Sequence, residues 1–128
     1  MKLLIIDDSK PVRVRLMAML AGTPGLEIGE ACNLADGIEY LCRAEPDAVV
    51  LDIQFAWGKG FELLSLVKRC SRSVLVLVST NDILARQRCR ALGADYFFDK
   101  SFEFEQLVDK IVAHSEAPLC GGWHEIPA

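Results

Sequence analysis

Residues 47–53 read Asp47-Ala48-Val49-Val50-Leu51-Asp52-Ile53. Four apolar residues follow one another without alternation and run into a carboxylate. Such a run is a strand buried on both faces, the pattern of a parallel sheet. Its carboxyl end has to leave the core, and Asp52 stands there. In open parallel sheets, sites form beyond the carboxyl ends of the strands. Asp52 is therefore a candidate functional carboxylate. Taken alone, it serves equally well as a strand-end cap on a turn.

The flanking segments repeat the pattern. Upstream, Leu3–Ile6 is a second continuous apolar run that ends in carboxylates, Asp7 and Asp8. Ser9 can cap the helix that follows, and Pro11 suits its first turn. Val12, Leu16, Met19 and Leu20 recur at helical spacing, with Arg13 and Arg15 pointing elsewhere. Gly22, Pro24 and Gly25 stop this helix, and Leu26–Cys32 predicts a strand. Asn33 caps a helix with a stripe of Leu34, Ile38, Leu41 and Cys42, which Pro46 closes.

Downstream of Asp52, residues 55–60 form a glycine-containing loop. The helix after it turns Leu63, Leu64 and Val67 inward and Lys68 and Arg69 outward. Val74–Val78 is the most apolar strand, predicting a central place, and it ends in Ser79-Thr80. A helix over 83–92 is stopped by Gly93. Residues 95–98 make a short aromatic strand ending in Asp99-Lys100. Ser101 is positioned to cap the last helix, and Glu103 and Glu105 suit its positive end. Phe104, Leu107, Val108, Ile111 and Val112 form the buried stripe of that helix. Five strands alternating with five helices predict an α/β doubly wound parallel sheet, covered on both faces by right-handed crossovers. Residues 1–114 make one domain, and 115–128, with Pro118, Gly121, Gly122, Trp123 and Pro127, read as a mobile tail.

Composition narrows the function classes. A chain of 128 residues that is 52% hydrophobic builds a real core. A net charge of −4 gives no general attraction to nucleic acid or anionic membrane. No apolar run nears the roughly 20 residues of a bilayer span. Met1–Ile6 is cut by Asp7-Asp8 and is not a secretory signal. Five scattered cysteines without a Cys-x-x-Cys pair argue against zinc and against a disulfide framework, and so for the cytoplasm. Cys32, Cys42, Cys70 and Cys89 are expected in or near the core.

The chemistry lies at the strand ends. Asp7, Asp8, Asp52, Ser79 and Lys100 all fall on one sheet edge and converge in a doubly wound fold. Three carboxylates brought together repel and call for a hard divalent cation with oxygen ligands. Mg²⁺ suits them, because it keeps waters and an open position for a phosphoryl oxygen. Lys100 adds a point charge and Ser79 a hydroxyl. Metal, ammonium and hydroxyl around one carboxylate make a trap for a phosphoryl group on it. Aspartate is also a known type of covalent nucleophile.

With these residues in place, the chain resembles the receiver domains of two-component response regulators, the family of the chemotaxis regulator CheY, over roughly residues 2–114. The matching motifs are Ile5-Ile6-Asp7-Asp8-Ser9, Val50-Leu51-Asp52-Ile53, Gly60, Val76-Leu77-Val78-Ser79, Gly93-Ala94-Asp95 and Asp99-Lys100. The resemblance implies the flavodoxin-like strand order 2-1-3-4-5. It implies that Asp52 accepts a phosphoryl group from a histidine kinase or phosphotransfer protein. Mg²⁺ would be held directly by Asp8 and Asp52, by Asp7 through water, and by the backbone carbonyl of Gln54. Ser79 and Lys100 would bind phosphoryl oxygens. Ser79 and Phe97 would switch the face made by helix four, strand five and helix five. The chain would thus catalyse its own Mg²⁺-dependent phosphorylation and dephosphorylation rather than turn over external substrates. The output partner is not legible. The chain reads either as a single-domain regulator or as a receiver cut from a longer one.

Some positions depart from the family pattern. Ser101 replaces the usual proline after the lysine, so a trans Lys100–Ser101 bond is expected. Ala56 also stands for a proline, and Thr80 for a smaller residue. Gln54 and Asn81 flank the site at positions that, by the resemblance, tune phosphoryl lifetime in the family. Arg86, Arg88 and Arg90 form either a solvated face or one half of a homodimer contact with Glu105 or Asp109. Two other functions compete. One is an interaction module that keeps the fold but ignores phosphorylation, a reading that leaves the full set of five groups without purpose. The other is an aspartyl phosphatase, which needs a second carboxylate where Gln54 stands.

Overall fold

The structure, a computed structural model, describes residues 1–54, 59–70 and 73–120, with side chains up to Glu116. Ala56, Trp57 and Trp123 lie outside the described residues. Strands and helices alternate as β1 Lys2–Ile6, α1 Lys10–Leu20, β2 Glu27–Ala31, α2 Leu34–Arg43, β3 Ala48–Leu51, α3 Gly60–Cys70, β4 Leu75–Thr80, α4 Arg86–Ala91, β5 Tyr96–Asp99 and α5 Phe104–Cys120. All neighbouring strands are parallel, in the order β2-β1-β3-β4-β5. This is the doubly wound sheet that the apolar runs predict.

The period of two along each strand builds two cores. Leu4, Ile6, Val49, Leu51, Val76 and Val78 face Leu63, Leu64 and Val67 of α3. Their neighbours Leu3, Ile5, Ala48, Val50, Leu77 and Phe98 face Leu16 and Leu20 of α1 and Phe104, Leu107 and Ile111 of α5. The helices start as their caps dictate. Ser9 Oγ accepts from the Val12 amide at 3.5 Å, and Asn33 Oδ1 from the Asp36 amide at 2.8 Å.

Several expectations are corrected. The middle of the sheet belongs to β3, with β4 beside it. Both strands have a neighbour on each side, so apolarity alone does not rank them. Met19 and Ile38 lie at the border of their stripes and are exposed. The inward line of α2 runs through Leu34, Gly37 and Leu41 instead. Cys32, Cys42 and Cys70 are exposed, and of the four only Cys89 is buried. The expected fourth helix opens as a 3₁₀ turn at Ile83–Ala85, whose Leu84 is 91% exposed. Ser101 does not cap α5. Its hydroxyl donates to Asn81 Oδ1 at 2.9 Å, and the helix begins at Phe104. Glu103 supports the entry instead, accepting from the Asp99 amide at 2.8 Å. α5 itself runs Phe104–Cys120. Lys68 folds back to Asp95 Oδ2 and the Val74 carbonyl rather than pointing out.

Candidate functional site

The ends of β1 and β3 are tied together by backbone hydrogen bonds. The Asp52 amide donates to the Ile6 carbonyl at 3.1 Å, while the Asp7 amide donates to the Ala31 carbonyl at the end of β2 at 3.2 Å. This parallel pairing carries Asp7 and Asp52 out of the sheet side by side. Both carboxylates are buried, while Asp8 is exposed. A carboxylate oxygen from each of the three lies within 4.8 Å of the others.

Lys100 enters from the end of β5, where its amide donates to the Thr80 carbonyl at 2.9 Å. Its ammonium donates to Asp7 Oδ2 and Asp52 Oδ2, each at 2.8 Å. The remaining oxygens hold local turns. The Ser9 amide donates to Asp7 Oδ1 at 2.8 Å, and the Gln54 amide to Asp52 Oδ1 at 3.0 Å. Each buried aspartate thus spends one oxygen on its own loop and the other on the shared ammonium.

One ammonium does not neutralise three carboxylates. Burial, aided by the Asp52 charge, holds the Asp7 carboxyl above its ordinary range, against the opposing pull of Lys100 and the Ser9 amide. Burial alone would lower the Lys100 ammonium. Hydrogen bonds and charges from Asp52 and Asp7 outweigh it, and the net direction is up. The oxygen-only donors, their closeness and the excess negative charge fit a hard divalent cation such as Mg²⁺.

Ser79 ends β4. Leu51 pairs with Val78, so Asp52 and Ser79 are the next residues along neighbouring strands. Ser79 is 3% exposed, and its hydroxyl has no hydrogen-bond partner among the described residues. A buried hydroxyl left unpaired costs about 1–3 kcal/mol, so it marks a place where a ligand atom is wanted. Thr80 is fully buried and accepts from the Asp82 amide at 3.2 Å. The described residues contain no cis peptide, so Lys100–Ser101 is trans as expected. Phe97 lies on the opposite sheet face from Phe98, partly buried, with the Arg86 guanidinium 4.7 Å from its ring centre.

One residue at the site escapes the sequence reading. Arg13, expected to point away, folds back so that Nη1 donates to the Asp7 carbonyl at 2.7 Å and Nε to Glu30 Oε1 at 3.0 Å. The available signal was an arginine in the first helical turn after an acidic pair. Helical periodicity reports only that it is off the core stripe.

The comparisons with known proteins accord with this geometry. The family model described as the response regulator receiver domain matches residues 3–112, which hold β2 to β5, β1 from its second residue, and the whole site. The chain belongs to the response regulator receiver domain family. Phosphorylation by a kinase is the general function of that family. Among its relatives, the receiver is 33% identical over 113 residues to the sensory transduction protein LytT of Bacillus cereus, covering 87% of this chain and 46% of that protein. It is 26% identical over 112 residues to sporulation initiation phosphotransferase F of Bacillus subtilis, covering 86% of this chain and 90% of that protein. The signal receiver domain of a DNA-binding response regulator from Colwellia psychrerythraea superimposes with a TM-score of 0.81 at 28% identity, over 90% of this chain and 98% of that one. The chain spans about half the length of the first curated relatives it matches. No helix among the described residues is long and apolar enough to cross a membrane.

Proposed function

We propose that this receiver takes a phosphoryl group on Asp52 from the phosphohistidine of a histidine kinase or phosphotransfer protein. The observation that carries the reading is the bridge Asp7–Lys100–Asp52, flanked by Asp8 and by the unpartnered Ser79 hydroxyl. Lys100 holds Asp52 Oδ2 in place while Oδ1 is fixed by the Gln54 amide, so the carboxylate is oriented before a donor arrives. A carboxylate oxygen bonds to phosphorus as the P–N bond of the donor breaks, and the imidazole leaves. Lys100 then turns toward the phosphoryl oxygens, and the Ser79 hydroxyl donates to another. Asp8 and Asp52, Asp7 through water, and the Gln54 carbonyl would hold Mg²⁺, which supplies positive charge to the phosphoryl oxygens when bound.

Movement of Ser79 toward the phosphoryl group opens space for Phe97. The ring leaves the Arg86 side and biases the face of α4, β5 and α5 toward its signalling form. The same face carries Arg86 and Arg90 and is the surface for a second copy or an output partner. The setting is the cytoplasm.

Acetyl phosphate with Mg²⁺, read by intact mass, tests the reading. Wild type gains one phosphoryl group and Asp52→Asn gains none. Equal labelling of both proteins rejects Asp52 as the acceptor.

A further inference from the structure

Arg13 stands next to an acidic cluster but touches none of its three carboxylates. Its side chain is 12% exposed. One guanidinium nitrogen donates to the backbone carbonyl of Asp7 at 2.7 Å, and another is paired with Glu30 of β2 at 3.0 Å. The Asp7 amide is already bonded to the Ala31 carbonyl of the same strand. Asp7 and Asp8 therefore leave β1 on a backbone held at both polar groups of Asp7, from β2 and from the first turn of α1. We infer that Arg13, held by Glu30, is a positioning residue that fixes the Asp7–Asp8 turn in the geometry a divalent cation needs.

The charges make this a test of sign. A cation beside a guanidinium is repelled, so removing Arg13 on electrostatic grounds alone tightens cation binding. Removing an anchor of the ligand-bearing loop weakens it, commonly by about 10-fold or more. Glu30 reconciles the two, because its carboxylate offsets the guanidinium charge while leaving a nitrogen free to pin the carbonyl. The inference rests on reading the acidic cluster as a cation site.

The experiment is calorimetric titration of the metal-free protein with Mg²⁺ alone, with thermal unfolding beside it. Arg13→Ala is expected to bind about 10-fold more weakly. Arg13→Lys, which keeps the charge and can make one of the two bonds, should recover part of the loss. Glu30→Gln should weaken binding on the order of 3-fold, more so at low salt, by unmasking the guanidinium charge. Glu30 is 40% exposed on its side chain, so this last variant keeps the fold and reads the coupling should Arg13→Ala fail to fold. Arg13→Ala binding as tightly as wild type or tighter overturns the inference. So does Glu30→Gln binding that does not change. Absence of Mg²⁺ binding by wild type refutes the cation reading and this inference with it. Normal wild-type binding beside an unaffected variant refutes the clamp alone.

Discussion

Asp7 shows how one residue is held at a cost. Its carboxyl is buried beside Asp52, so the fold binds a proton there more tightly than the unfolded chain does at its ordinary 3.8. Stability contributed by the protonated form is therefore lost as pH rises from 3.8 through the raised value, and at neutral pH the charged form is a burden. Lys100 works the other way. Its contribution is fully present below 10.5 and is lost as pH rises through its raised value. Asp7→Asn removes the burden while its side-chain oxygen can still accept from Lys100. In metal-free buffer at pH 7 this variant should be more stable than wild type, because the neutral amide removes the buried charge. The gap should close toward pH 4 and reverse when saturating Mg²⁺ is added, which urea denaturation at several pH values would show. A variant less stable than wild type without metal would mean that Asp7 is held mainly by attraction to Lys100.

Gly60 sets how an element meets the site. It is the first residue of α3, and a Cβ there would overlap the Ile53 carbonyl and lie 2.5 Å from Ile53 Cα. Ile53 immediately follows Asp52, so α3 packs directly against the backbone that presents the candidate acceptor. Backbone atoms in this position cannot swing aside as a long side chain would. Gly60→Ala should cost about 3 kcal/mol and displace the loop after β3, weakening acetyl phosphate labelling as well as lowering the urea midpoint. The sequence shows a glycine at a loop-to-helix junction. It does not show that the reason is close approach to residue 53, since the two are brought together only by the packing of α3 on β3.

The molecule as a whole buries its sheet between two helical layers, and this decides which thiols react. Cys89 sits in the layer with α3, where burial first and Asp82 second push its thiol up to about 11. Cys32, Cys42 and Cys70 are exposed. Alkylation of the native protein, mapped by peptide, should label those three rapidly and Cys89 only after unfolding. Rapid labelling of Cys89 would show that this layer opens readily. The sheet, its parallel sense and the edge bearing Asp7, Asp8, Asp52, Ser79 and Lys100 were legible in advance, because unbroken apolar runs ending in polar residues are a one-dimensional record of strands buried on two faces. The inward turn of Arg13 and Lys68, the capture of Ser101 by Asn81 and the exposure of three cysteines were not. Periodicity along a chain records which side of one element faces the core. A polar side chain's partner lies on another element, and its identity follows from the distance and angle at which the two elements pack.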